Sequence, residues 1–137
     1  MTDATSPAMA GRDIIAGWIL NGLAILFLLM DGAIKLVPIQ PVYDTMQALG
    51  WPTDTMLLRS LGALSIISTL LYAWRRTALI GAILLTAYLG GAVATHVRIG
   101  SPLFSHILFS IYLGLFMWGG LWLRSPSLRT LLPLAKG

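Results

Sequence analysis

Four stretches of the chain stay apolar for longer than a globular core requires, and short polar breaks separate them. Read as helices, they cover about residues 14–36, 55–74, 77–97 and 103–123. A hydrocarbon core of about 30 Å takes roughly 20 apolar residues of helix, and three of the four stretches supply that outright. In the second, only residues 60–74 are free of charge, so its helix must carry Arg59 to membrane depth, about one turn inside its end. Between the first two lies a loop punctuated by Pro38, Pro41, Gly50, Trp51 and Pro52. Inside it, Val42, Met46 and Leu49 recur at helical spacing, the pattern of a short segment lying on a membrane surface. Residues 1–12 are small and polar and read as a disordered tail, and residues 125–137 read as a short second tail. The pattern predicts an all-α integral membrane four-helix bundle. The first stretch is too long for a cleaved leader, no small-residue cleavage site follows it, and more spans come after.

Composition agrees with this reading. Of 137 residues, 57% are hydrophobic and 10% charged, against the roughly 25% charged of soluble domains. There is no Cys, which excludes disulfides, thiol relays, iron–sulfur clusters and Cys-based zinc sites. The net charge of +4 sits at helix ends, where it reads as a topology signal and gives no support to nucleic-acid binding. Arg12, Arg75, Arg76, Arg124, Arg129 and Lys136 fall on one side, and Lys35, Arg59 and Arg98 on the other. By the positive-inside rule both termini are then cytoplasmic.

Charge inside the spans is costly, about 2.5–3.5 kcal/mol for an Asp or Arg on insertion scales, and is retained where it has a task. Asp31, Lys35, Arg59, His96, Arg98 and His106 all fall near the same, periplasmic end of their helices, at heights that agree within about one turn. They predict one polar layer in the outer third of the bundle, able to hold the head of an amphipathic ligand. Asp31 and Lys35 are spaced to pair on one helix face, and Asp31 with Lys35 or Arg59 reads as an ion pair that fixes packing. Arg98 alone reads as a side chain that snorkels to the headgroups. His96 and His106 are the one candidate pair for a metal or haem, but no third ligand accompanies them, so no metal is assigned and haem is not supported. Tyr72, Tyr88 and Tyr112 read as packing and interface residues, and Asn21 and Thr86 as groups that bond across helices. Gly81, Gly90, Gly91, Ala94, Gly114, Gly119 and Gly120 read as notches for close helix approach. No Ser-His-Asp spacing, phosphate-binding glycine loop, His-Glu-x-x-His or acidic cluster is present, so hydrolase and kinase chemistry have no support.

The run GAILLTAYLGGAVATHVRIGSPLFSHILF, then WGGLWLRSPSLRTLLP, with MDGAIKL in the first helix and PVYDTMQALGWP in the loop, resembles the DoxX-like family of small four-helix bacterial membrane proteins. The resemblance covers about residues 14–134, and Asp31, Lys35, Gly90, Gly91, His96, Arg98 and His106 match its motifs. It implies a multi-pass protein of the bacterial inner membrane. The wider family takes its name from a subunit of a thiosulfate:quinone oxidoreductase, which implies a quinone-like ligand and a membrane or periplasmic redox partner. The chain departs from the family in its second helix, where Ser65 and Ser68 stand in place of the usual Glu and Cys. Three functions follow as expectations: a redox-associated accessory subunit that binds a quinone-like ligand, a scaffold that binds a partner or a second copy, and an enzyme using His96 or His106 in acid–base chemistry on a lipid-soluble substrate.

Overall fold

A computed structural model describes residues 7–132, with side chains described from Gly11 onward. Residues 1–6 of the expected tail, and Lys136, lie outside the described residues. Helix α1 runs Pro7–Leu36, α2 Gln40–Ala48, α3 Thr55–Ala73, α4 Ala78–Arg98, α5 Leu108–Arg124 and α6 Pro126–Leu131. A π-helical turn, Leu103–Ile107, leads directly into α5. The apolar stretches of α1, α3, α4 and the π-turn with α5 are each long enough to cross a bilayer. Helix α1 opens earlier than its apolar stretch does. Pro7 suits a first turn, where its missing N–H would be unpaired anyway, and residues 7–12, expected to be disordered, continue into the helix.

The four spans alternate in direction, so one end of the bundle gathers Arg12, Arg75, Arg76, Arg124 and Arg129, here the arginine end. The other, the histidine end, carries α2, the end of α4 and the π-turn. Helix α1 packs along both α3 and α5, and α4 packs on α3 and more loosely on α5. Between 22% and 33% of the most apolar part of each span is buried within the chain. The remaining apolar surface is far more than a soluble monomer exposes and needs lipid around it.

Close approach depends on small residues at a few crossings. A Cβ on Gly120 would stand 2.1 Å from Asn21 Nδ2 and 2.7 Å from the Gly17 carbonyl oxygen. On Gly62 it would stand 2.7 Å from the Gly32 carbonyl oxygen, and on Gly81 2.1 Å from Tyr72 N. The other expected notches differ: Gly90, Gly91 and Gly119 face open space, and Gly114 meets only Leu89, at 3.9 Å. Asn21 fills the space Gly120 leaves, donating to the Met117 carbonyl at 3.2 Å and accepting from Arg124 Nε at 2.5 Å. Thr86 accepts from Trp118 Nε1 at 2.8 Å. Tyr72, expected to pack at an interface, is fully buried and donates to the Met117 carbonyl at 2.8 Å. Ser65 bonds the Leu28 carbonyl across α1 and α3, and Ser68 is buried with no partner for its hydroxyl among the described residues.

Helix α2 presents Val42 and Met46 as expected, but to protein: both are buried against Leu58 of α3. It ends in a Schellman motif, with Trp51 N bonded to Met46 O and Gly50 N to Gln47 O, both at 2.9 Å. Gly50 takes the left-handed φ of 71° that this motif requires. Asp54 then caps α3 by accepting from Leu57 N. Helix α6 is held to the arginine end by Arg129, which bonds the Trp122 and Leu123 carbonyls and lies 3.5 Å from Asp13.

Candidate functional site

The π-turn and the end of α4 bring two histidines together. Helix α4 closes in a second Schellman motif, with Ser101 N bonded to His96 O at 3.0 Å and Gly100 at φ 67°. That turn folds Ser101 back, so its Oγ meets His96 Nδ1 at 3.0 Å. Past Pro102, the Ile107 N–H reaches the Pro102 carbonyl five residues back, the widened spacing of a π-turn, a feature frequent at functional sites. His106 lies in that turn, its Nδ1 2.7 Å from Ser105 Oγ. The two imidazole rings are 5.4 Å apart at their centroids, edge to face.

Deeper in the bundle, Lys35 donates to Asp31 Oδ2 at 2.5 Å and to the Tyr88 hydroxyl at 3.2 Å. The Tyr88 hydroxyl in turn donates to the same carboxylate oxygen at 3.2 Å. Asp31 and Lys35 are spaced four apart, so pairing is their default on one helix face. Tyr88 joins them from α4 and closes a triangle between two helices that otherwise do not pack closely. Its role is bonding rather than the packing expected of it.

Both groups line one cavity of about 610 Å³ at the histidine end, within the size range of small-molecule sites. Asp31, Lys35, Tyr88, His96, Ser105 and His106 supply its polar wall. Phe27, Ile34, Leu61, Leu64, Phe109 and Leu113 supply much of its apolar wall, and α2 and Trp51 line it as well.

Of the six expected site residues, Asp31, Lys35, His96 and His106 line this cavity, and Arg59 and Arg98 do not. Arg59 is exposed on α3 and makes no ion pair or hydrogen bond among the described residues. Its neighbour Leu58 is fully buried, Arg59 about 100° further round the helix is on the exposed side, and Asp31 pairs with Lys35 instead. Arg98 donates through Nη2 to the Leu49 carbonyl at 2.7 Å, tying the end of α4 to the end of α2 rather than reaching the cavity. The single layer also resolves into two tiers. Tyr88 and His96 are eight residues apart on α4, about 12 Å along its axis. Among the described residues, no three His, Cys, Asp or Glu side chains gather in one cluster.

Neither a curated protein nor a solved structure matches the chain. A family model does, over residues 19–120, which include the cavity-lining residues of α1, α3, α4 and the π-turn. This small membrane-spanning chain, with four long apolar helices, belongs to the DoxX-like family.

Proposed function

We propose that this protein binds a quinone-like amphipathic molecule in the cavity at the histidine end, its head held between the Lys35–Tyr88 tier and the His96–His106 tier. Two polar tiers on one apolar-walled cavity carry this reading. A ring with oxygens at opposite ends takes a hydrogen bond of about 2.8 Å at each, and Lys35 with Tyr88 at one level and His96 with His106 at the other line the same cavity. On binding, the Tyr88 hydroxyl exchanges its bond to Asp31 for one to a ring oxygen, beside the third N–H of Lys35; an imidazole N–H serves the other oxygen, and the apolar wall takes the tail. The histidine end faces the periplasm, the membrane is the bacterial inner membrane, and the bound molecule is shared with a membrane or periplasmic redox partner.

Titration of the purified, chelator-treated protein with a short-chain para-benzoquinone, followed by quenching of the tryptophan fluorescence to which Trp51 at the cavity contributes, tests this. Saturable binding is expected to weaken about threefold to tenfold in Tyr88→Phe and in His96→Ala, the effect of losing one hydrogen bond. Absence of saturable binding, or equal binding by both variants, would overturn it. Co-purification of a protein partner in that case would favour a scaffold role instead.

A further inference from the structure

The paired histidines carry a second chemistry, in which a bound ion takes the Nε2 atom that otherwise serves the ring oxygen. Each ring has its Nδ1 engaged by a serine hydroxyl, Ser101 for His96 and Ser105 for His106. Neither Nε2 has a partner among the described residues. Engagement of one ring nitrogen by an outer group, with the other left free, is how metal-ligating histidines are held.

Distance points the same way. A metal–nitrogen bond of about 2.0–2.1 Å puts an imidazole centroid about 3.2 Å from the ion. Two such rings at a tetrahedral angle then have centroids about 5.2 Å apart. The observed separation is 5.4 Å. Of the nearby cations, Lys35 is neutralised by Asp31, and the Arg98 guanidinium is held at the Leu49 carbonyl and does not line the cavity. The π-turn places His106 where its ring meets that of His96 from a separate element.

We propose that His96 and His106 form a two-imidazole site for a divalent transition-metal ion at the rim of the cavity. Nitrogen donors select against magnesium and calcium, which take oxygen, and the general order of stability puts copper(II) ahead of zinc(II). No carboxylate joins the pair among the described residues, so the remaining positions are filled by water or an oxygen of another molecule. The site is therefore open and exchangeable, unlike a closed structural zinc centre.

Copper(II) alone is the probe, added to tag-free protein stripped with a chelator, with no quinone present. One ion per chain is expected, with an electron paramagnetic resonance spectrum showing coupling to two imidazole nitrogens. His96→Ala and His106→Ala each lower affinity at least tenfold, and the double variant loses the two-nitrogen signal. Ser101→Ala with Ser105→Ala keeps both ligands and weakens binding about tenfold or more, as loss of outer-shell partners does. Arg98→Ala, outside the site, leaves the spectrum unchanged. A wild-type protein that binds no more copper than the double variant, or a double variant with the same spectrum, overturns the proposal whether or not a quinone binds.

Discussion

Asp31 Oδ2 accepts from both Lys35 and Tyr88, and the two charged side chains are only 18% and 23% exposed for Lys35 and Asp31. Removing one partner of such a pair leaves a charge without its counter-ion in a poorly solvated place, whereas removing both costs far less. Lys35→Met and Asp31→Asn are each expected to destabilise the protein by about 1–3 kcal/mol, less than a fully buried pair because water still reaches both groups. The double variant Asp31→Asn with Lys35→Met recovers most of that loss. Thermal melts of the four proteins in one detergent give the coupling directly as a double-mutant cycle. Additive losses would mean that the pair is no clasp. The helical spacing of Asp31 and Lys35 made this pair legible in the sequence, and Tyr88 was not legible. Its partners lie 53 and 57 residues away, and a lone Tyr in an apolar helix carries no mark of them. Arg59 illustrates the complementary limit, since its depth could be read from its place along α3 but its direction around the helix could not.

At the scale of elements, the same difficulty has a general cause. The buried residues of α3 are Leu58, Gly62, Ser65, Ser68, Thr69 and Tyr72, and most of them are small or polar. In water an apolar stripe marks the face turned to the core. In lipid the outward face is apolar too, and small residues that let backbones meet mark the inward one. Helix existence and ends were therefore legible from length and apolarity, while the faces that pack were not. Glycines show this most plainly, because Gly119 and Gly120 are adjacent and only one is a contact. Gly120→Ala must push Asn21 off the Met117 carbonyl or part α1 from α5, and overpacking of this kind costs about 1–3 kcal/mol. Gly119→Ala meets nothing within 4 Å and is expected to be neutral or to gain up to about 1 kcal/mol from helix propensity. Melting temperatures of the two single variants, measured side by side, decide whether the α1–α5 crossing is as tight as this.

For the whole molecule, the bundle is asymmetric end to end. The arginine end is rich in aromatic and cationic contacts, with the Arg124 guanidinium 4.1 Å from the centre of the Trp18 ring and that of Arg129 4.9 Å from Trp122. The histidine end has the cavity, lined on one side by α2. Five of the six basic residues that favour a cytoplasmic placement lie at the arginine end of the described residues, against Lys35, Arg59 and Arg98 at the other. Because the chain has no Cys, single cysteines report orientation without background. Asp44→Cys on α2 is expected to react with a membrane-impermeant maleimide in intact cells, and Ser127→Cys on α6 only after permeabilisation. Both side chains are exposed, so access within the protein does not limit labelling. The reverse pattern would turn the cavity to the cytoplasm and exclude a periplasmic redox partner for it. The cavity and its two polar tiers would stand, since they depend on how α1, α2, α4 and the π-turn meet and not on which side of the bilayer they meet.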